Sequence, residues 1–374
     1  MTIGPLDPPF SLLRERRDRV AELAAAKGLC AVLVTRPEHV RYLTGVSAAN
    51  PVFAWLGLSE GAVLGRSGTF DTESVAGQGL EALSYTAYEP DHLVDPVAQA
   101  IEALDTMVRL RATGRIGTDL CGVRWRIGAL QEHEIVDLAE DFSRIRRPRD
   151  AWEIARLRNC VTALEAGFIA GRACAVPGAT ELGVHTAISG AIANAVGRPV
   201  RLDHNIGSGP RGAEPDPQAT ARSLEDGDLL IVDLYPPLDG YVVDLTRTWA
   251  IGSLSTSGER LQHAACAALR AAEATLGPGT PAADVDRAVR SALRMIDGLD
   301  RSMSHHAGHG IGLFAWDAPW IGRGSADRLM AGDTIAIEPG AYVAGVGGVR
   351  LEGNYLITAD GYERLDTYPE DLMT

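Results

Sequence analysis

Hydrophobic and polar positions over residues 1–145 alternate between helical and strand periods. A helix with one apolar stripe is predicted at Ser11–Lys27, and another at Pro96–Leu110, where a proline suits the first turn. A short helix is indicated at Glu38–Leu43. Three apolar runs have the length of buried strands: Cys30–Thr35, Gly61–Leu64 and Arg115–Asp119. This alternation predicts an α/β N-terminal domain with a mostly buried sheet over residues 1–145.

A polar stretch over residues 144–150 contains a proline and precedes a long helical pattern at Ala151–Cys174. We therefore place a domain boundary there and expect a second domain over residues 150–374.

The second domain contains a pattern that occurs twice. Pro177-Gly178 and Pro278-Gly279 each follow an Ala-rich helical pattern and precede a second one. Gly227-Asp228 and Gly332-Asp333 then each open an apolar run that carries a carboxylate. Chance similarity of Ala-rich helices is the alternative explanation. The pattern favours an α+β domain of two similar halves related by a pseudo-two-fold axis, with a site between them.

The charge excludes some partners. Lys and Arg number 35 against 49 Asp and Glu, a net charge of −14, which repels nucleic acid and anionic membrane surfaces. No apolar run approaches the roughly 20 residues of a membrane span. The first residues lack the features of a signal peptide, and the five cysteines form no disulfide framework. We expect a cytoplasmic protein that binds neither nucleic acid nor membranes.

Carboxylates occur where burial is expected. Asp233 lies between Val232 and Leu234, and Asp244 lies in similar surroundings across a Pro-Pro-Leu-Asp-Gly turn, which is typical of a hairpin. An unpartnered carboxylate there would cost several kcal/mol, as burial of a polar group without a partner does. Two carboxylates on one apolar face need a proton or a cation between them.

The second half supplies further donors. Glu338 follows an apolar run in an IEPG segment, and Glu352 ends a GVRLE segment. His309, within His305-His306-Ala-Gly-His309-Gly-Ile-Gly-Leu, adds an imidazole. Four carboxylates and one imidazole suit two divalent cations, with Mn²⁺ favoured by the oxygen-rich set and Co²⁺, Fe²⁺ or Zn²⁺ as alternatives.

These motifs resemble the pita-bread metallopeptidases, in the branch of aminopeptidase P, prolidase and creatinase. The matching segments are the DGY…DLTRT hairpin, HxxGHGIGL, IEPG and GVRLE, together with an Arg-rich first helix and the segment Val40-Arg-Tyr-Leu-Thr-Gly. The resemblance implies a creatinase/prolidase-like N-terminal domain, a pita-bread catalytic domain and a homodimer.

The resemblance also implies roles for individual residues. Asp233 would bind one metal, Asp244 and Glu352 would bridge both, and His309 and Glu338 would hold the other. A bridging water or hydroxide would be the nucleophile, with Glu338 as the proton shuttle. His305 would contact the substrate or intermediate, and Arg350 would orient a ligand carboxylate. His306 has no assigned counterpart.

Two positions depart from the branch's pattern. Asp216 stands where an upstream histidine is expected, and Trp316 replaces the histidine that follows the GHGIGL segment. We expect Trp316 to form an apolar wall and Asp216 to face an amine or guanidinium. The alternative is that Trp316 packs in the core and Asp216 is solvated. His204 is a further candidate for the pocket rim.

The leading hypothesis is a dinuclear metal-dependent hydrolase that cleaves an amide-type C–N bond, resembling Xaa-Pro peptidases but with altered substrate-binding residues. Its substrate would be a small peptide or an amino-acid-derived molecule. The first alternative is a metal-dependent non-peptidase of the same fold that acts on a specialised metabolite as a hydrolase or lyase. A metal-free hydrolase of the creatinase kind and a non-catalytic scaffold are disfavoured, since neither requires all five ligands.

Overall fold

The computed structural model describes residues 7–47, 51–58, 60–91, 93–119, 127–214, 216–296 and 299–372. The chain divides into two compact units, Met1–Arg146 and Arg147–Thr374. The first six residues and Pro215, which precedes Asp216, lie outside the described part. Within that part, no helix combines the length and the apolar composition needed to cross a bilayer.

The first unit is built on a mixed six-stranded sheet. Its strand order is β4–β3–β2–β1–β5–β6. The contacts β1–β5, β5–β6 and β3–β4 are parallel, whereas β1–β2 and β2–β3 are antiparallel. The elements are α1 (Phe10–Ala26), β1 (Ala31–Val34), α2 (Pro37–Thr44), β2 (Phe53–Gly57), β3 (Gly61–Arg66), α3 (Thr72–Gly77), β4 (Glu81–Tyr85), α4 (Pro96–Arg111), β5 (Ile116–Thr118), β6 (Ile135–Asp137) and α5 (Ala139–Arg146).

The first unit's core is formed where β1 and β5 pack against α4. All four residues of β1 are buried, as its continuous apolar run predicts for a strand covered on both faces. Helix α4 begins at Pro96 after its N-cap Asp95, and packs Leu104 and Met107 into the cluster that contains Leu33 and Ile116. The predicted α/β architecture is confirmed, with helix and strand ends within a few residues of the predicted ones.

The second unit combines paired helices with antiparallel sheets, ordered β7–β8–β9, β11–β10–β12–β15–β16 and β13–β14. Its elements are α6 (Ala151–Cys174), α7 (Glu181–Val196), β7 (His204–Ser208), β8 (Leu229–Leu234), β9 (Leu245–Ala250), α8 (Thr256–Glu273), α9 (Ala282–Arg294), β10 (Gly308–Gly310), β11 (Asp317–Ile321), β12 (Thr334–Ile337), β13 (Gly340–Val343), β14 (Gly347–Arg350), β15 (Gly353–Ile357) and β16 (Tyr362–Arg364).

The predicted internal repeat is visible in the backbone of this unit. Helix α6 leads through Gly178 to α7, and α8 leads through Gly279 to α9; both glycines have φ 88°. Each glycine N–H donates to the equivalent strand-entry segment, Gly178 to Leu224 O at 2.9 Å and Gly279 to Leu329 O at 2.7 Å. Because a positive φ of this size strains any residue with a Cβ, both turns require glycine.

Candidate metal centre

Strands β8 and β9 place two carboxylates side by side. The strands pair antiparallel with Asp233 opposite Thr246, and Asp244 immediately precedes β9. Both carboxylates are buried, each with 6% exposure. The predicted hairpin therefore presents two acids within an apolar setting.

His309 lies on β10, an inner strand of the neighbouring five-stranded sheet. Its strand β10 pairs with β11 on one side and β12 on the other. A Cβ at Gly308 would lie 2.1 Å from Ala336 O, and one at Gly310 would lie 2.1 Å from Ala318 O, so both flanking positions need glycine. The Nδ1 of His309 pairs with Gly310 O at 3.0 Å. If Nδ1 carries the proton, Nε2 presents its lone pair to the centre.

Glu338 and Glu352 enter from the ends of adjacent strands. Glu338 directly follows β12, and its backbone N–H donates to Ala307 O at 3.0 Å. Glu352 lies between β14 and β15, and its backbone N–H donates to Thr246 O at 3.2 Å. These two hydrogen bonds fix Glu338 to the segment before β10 and Glu352 to β9.

The five predicted donor residues converge. His309 Nε2 lies 3.6 Å from both Asp244 Oδ2 and Glu338 Oε1. One hydroxyl, Thr246 Oγ1, lies 2.9 Å from Asp233 Oδ1 and 2.8 Å from Glu352 Oε2.

The buried carboxylates of this cluster repel one another, so the cluster needs a positive charge to balance them. Burial, and then the charge of Glu352, raise the pKa of Asp244 well above its usual value. Burial and the charge of Glu338 likewise raise the pKa of Glu352. Asp244 Oδ1 and Glu352 Oε1 are buried without a hydrogen-bond partner. Unsatisfied, mutually repelling oxygens are the donors expected around a hard divalent cation.

The pKa values of two further donors, His309 and Glu338, are also shifted by their surroundings. Burial lowers the pKa of His309, which favours the neutral ring. Burial alone would raise the pKa of Glu338, but its contact with His306 and the charges of His305 and His309 outweigh burial and lower it. Two groups offer donor atoms within 4.8 Å of one another: Asp244, His309 and Glu352, and His306, His309 and Glu338. The residues fit divalent cations.

Arg350 and Tyr342 lie beside the carboxylates and line the cavity into which the centre opens. Arg350 Nη2 donates to Asp233 Oδ2 at 2.7 Å, which fixes that carboxylate. The Tyr342 hydroxyl lies 3.4 Å from Arg350 Nη1 and 2.8 Å from His305 Nε2. Burial raises the pKa of Tyr342 to about 12, so its proton is retained at neutral pH.

The centre opens into a cavity of about 720 Å³ whose wall includes Asp216, Trp316 and His305. Trp316 is 70% exposed, so it does not pack in the core. Asp216 is exposed at the same cavity. The wall therefore carries an indole and an acid at the two positions that depart from the family pattern.

His204 does not line this cavity, contrary to expectation. Successive side chains of β7 point to opposite faces. Asn205 faces the centre, 3.3 Å from Asp233 Oδ2, so His204 faces away and its ring lies 4.5 Å from that of His185.

Several residues at the centre were not predicted as site residues. Thr246 and Asn205 contact Asp233, and Tyr342 contacts His305. Thr246 stands two residues after Asp244, and residues at this spacing in a strand lie on the same face. This spacing is the sequence signal that points to Thr246 as a neighbour of the carboxylates. His306 Nε2 lies 2.8 Å from Glu338 Oε1, although the motif gives that position no role.

Comparison with known protein families shows the family to which this chain belongs. The model of metallopeptidase family M24 matches residues 155–359, more than half of the chain. The chain belongs to family M24. The model of the creatinase/prolidase N-terminal domain matches residues 16–147. These two matches confirm the predicted family and the pita-bread fold.

Several relatives of the chain carry peptidase names. The chain is 35% identical over 240 residues to "Probable dipeptidase PepE" of Mycobacterium tuberculosis, covering 63% of each chain. It is 33% identical over 172 residues to the Xaa-Pro dipeptidase of Pyrococcus horikoshii, covering 46% of this chain and 49% of the relative. The aligned part thus spans less than two thirds of either curated relative.

A solved structure extends the likeness over the full length. The crystal structure of dipeptidase PepE from Mycobacterium ulcerans superposes with a TM-score of 0.81 at 26% identity. The superposition covers 98% of this chain and 99% of that one. Both units therefore have counterparts in one solved dipeptidase structure.

Proposed function

We propose that this M24 protein is a metal-dependent hydrolase that cleaves an amide-type C–N bond in a small peptide or peptide-like substrate. The observation that carries the proposal is the convergence of Asp244, Glu352 and His309 with Asp233 and Glu338 in one buried cluster. The dipeptidase names of the relatives support the reaction class.

Asp233, Asp244, His309, Glu338 and Glu352 would hold two divalent cations. Cations bound there would lower the pKa of a water molecule and polarise the scissile carbonyl. Arg350 orients Asp233 through its 2.7 Å contact. Glu338 would accept a proton during attack and return it to the leaving amine.

His305 and Tyr342 would act on the substrate side of the centre. The Tyr342 proton, retained at neutral pH, is available to the imidazole of His305 through their 2.8 Å contact. Burial lowers the pKa of His305, which favours its neutral ring. This pair therefore places a neutral imidazole and a protonated phenol at the wall of the cavity.

The cavity wall favours a substrate that is not an ordinary prolyl dipeptide. Trp316 offers a flat apolar face, and Asp216 offers an anion that suits an ammonium or guanidinium group. These two exposed side chains are the observation that favours the second candidate, a metal-dependent non-peptidase that acts on an amino-acid-derived metabolite.

One substrate panel tests the proposal. Wild type and Asp244→Ala would be assayed with Mn²⁺ against Xaa-Pro dipeptides, other dipeptides, and amides of amino acids that carry a free amine. We expect C–N cleavage by wild type in at least one class and none by the variant. Absence of cleavage in all classes, with Mn²⁺ bound to the protein, would contradict the proposed reaction.

Three finer properties belong to the same proposal. We infer Mn²⁺ as the main cation from the carboxylate-rich set. The homodimer and the cytoplasmic location rest on the family resemblance and on the features of the sequence. Sedimentation of the purified protein checks the dimer, since a monomer at all concentrations would contradict it.

A further inference from the structure

His306 contacts the centre although its motif position carries no assigned role. Its Nε2 lies 2.8 Å from Glu338 Oε1, but the contact lacks the geometry of a hydrogen bond, and this nitrogen is shielded from solvent. The ring lies against Trp320, with the centroids 4.1 Å apart. The Nε2 of His306 is thus held beside Oε1 of Glu338 without forming a hydrogen bond to it.

The position of His306 suits a shared cation. His309 Nε2 lies 3.6 Å from the same Glu338 oxygen, and the donor atoms of His306, His309 and Glu338 all lie within 4.8 Å of one another. Bonds of about 2.0–2.2 Å to nitrogen and oxygen place the donors of one ion up to about 4.4 Å apart. A small closure of these side chains around an ion satisfies that limit.

His305, the neighbouring histidine, has a different environment. Its Nε2 lies 2.8 Å from the Tyr342 hydroxyl, and its Nδ1 lies 2.7 Å from His306 O. Both of its ring nitrogens are therefore engaged. Of the two adjacent histidines, only His306 directs an uncommitted nitrogen at the Glu338 carboxylate.

We propose that His306 is a second imidazole ligand of the cation held by His309 and Glu338. The proposal rests on the metal centre of the proposed function. It makes the two cation positions unlike: the position with two imidazoles favours Zn²⁺, whereas the position formed by Asp233, Asp244 and Glu352 favours Mn²⁺.

X-ray absorption of the wild-type protein tests this without any substitution. Full-length protein loaded with one equivalent of Zn²⁺ would be measured at the zinc edge, where multiple scattering counts the coordinated imidazoles. We expect two imidazoles in the zinc shell. A shell with one imidazole would overturn the proposal.

Affinity measurements on variants test it independently. Zn²⁺ would be titrated against a chromophoric chelator into wild type, His306→Ala, His305→Ala and the exposed-helix control His263→Ala. We expect His306→Ala to weaken Zn²⁺ binding at the tighter site by about 10- to 100-fold or more. Loss of a residue that only hydrogen-bonds to a metal ligand already costs about 10- to 100-fold in affinity. The control His263→Ala should bind Zn²⁺ as wild type does, and His305→Ala should weaken Zn²⁺ binding less than His306→Ala does. Equal Zn²⁺ affinity in His306→Ala and wild type would overturn the proposal.

This failure is distinguishable from a failure of the proposed function. Unchanged Zn²⁺ binding by His306→Ala, together with peptide cleavage by wild type, contradicts only the role of His306. Weakened Zn²⁺ binding together with no C–N cleavage of any substrate contradicts only the hydrolase reaction.

Discussion

At the scale of single residues, charge balance dominates the centre. Thr246 has one hydroxyl proton, yet its oxygen lies within hydrogen-bond distance of both Asp233 and Glu352. One of these two contacts must therefore lack the threonine proton. With Asp244 Oδ1 and Glu352 Oε1 also unpaired, the metal-free centre holds more negative charge than its neighbours neutralise. The protein's stability without metal should reveal this.

Glu352→Gln should stabilise the metal-free protein at neutral pH. The pKa values of Glu352 and Asp244 are raised in the folded state, so their contribution to stability is complete below their unfolded values and is lost as pH rises. Each pKa unit of this shift that the variant removes adds about 1.4 kcal/mol to the free energy of unfolding. Thermal unfolding of chelator-treated protein between pH 5 and 8 should give a higher midpoint and a shallower fall for the variant.

The exposed surface substitution Glu102→Gln is the control for this pH series and should follow wild type. Added Mn²⁺ should stabilise wild type more than Glu352→Gln, because only wild type keeps all four carboxylates. A metal-free Glu352→Gln protein that is less stable than wild type at pH 7.5 would contradict the account of repulsion.

Asp244→Ala should impair catalysis more than His305→Ala. Asp244 lies against His309 within the donor cluster, so its loss removes a cation ligand as well as charge balance. His305 contacts the rim through Tyr342, and its loss should cost about 10²–10⁴-fold in kcat/KM, the usual range for proton-transfer groups. Steady-state kinetics and metal content of both variants would check this. Equal, mild losses with full metal content would contradict a two-cation centre.

The five metal-binding residues could be predicted from the sequence, because acids and a histidine in apolar segments need a cation as partner. The five predicted donors are acids and a histidine in apolar or glycine-rich segments, and they converge in the fold. Tyr342 and His306 could not be predicted as site residues, because their contacts depend on the tertiary packing. Tyr342 reaches His305 from β13, and His306 reaches Glu338 from the loop before β10. His204 was misplaced because strand alternation, rather than proximity in sequence, decides which residue of β7 faces the centre.

At the scale of elements, the two halves of the second unit share one construction. Each half places a helix pair before a strand whose end carries a carboxylate, Asp233 in the first half and Glu338 in the second. The turns between the helices use Gly178 and Gly279 at the same φ of 88°. Such paired Pro-Gly turns made the helix pairs predictable from sequence. Strand partners were less predictable, since β10 and β11 are short and their pairing depends on distant segments.

Gly178→Ala and Gly279→Ala should destabilise the protein by similar amounts. At neither position would an added Cβ have an atom within 4 Å, so the cost is backbone strain alone, about 1–2 kcal/mol each. Gly190→Ala is the matched control: it lies in α7 without a positive φ and with open space, so alanine there should stabilise by up to about 1 kcal/mol. Denaturant unfolding of the three variants would check this. Unequal effects at the two turns would contradict their structural equivalence.

At the scale of the whole molecule, substrate choice depends on a cavity wall rather than on the donor cluster. Family membership and both domains were predictable because their motifs extend over nearly the whole chain. The substrate was not, because Trp316 and Asp216 depart from the pattern at the positions that face the cavity. A centre that retains its donors but changes its wall should act on a different substrate.

Trp316→His combined with Asp216→His should raise activity on Xaa-Pro dipeptides. Both side chains are exposed at the cavity, so imidazoles fit without repacking the core. We expect a gain of at least about 10-fold in kcat/KM, below the 10²–10⁴ that fully positioned groups supply. Trp316→Phe, which keeps the apolar wall without an imidazole, should show no gain. Wild-type turnover of prolyl dipeptides at about 1–10³ per second would contradict an altered substrate.

The central claim is that five residues from both halves of the second unit hold two divalent cations. Anomalous X-ray diffraction from crystals grown with Mn²⁺ and Zn²⁺ tests it most directly. We predict two anomalous peaks about 3.5–4 Å apart. Both should lie in bonding contact with the five predicted donors: Asp233, Asp244, His309, Glu338 and Glu352. Peaks bound elsewhere on the protein, or a Glu352 side chain turned away from Asp244 in the loaded crystal, would contradict the claim.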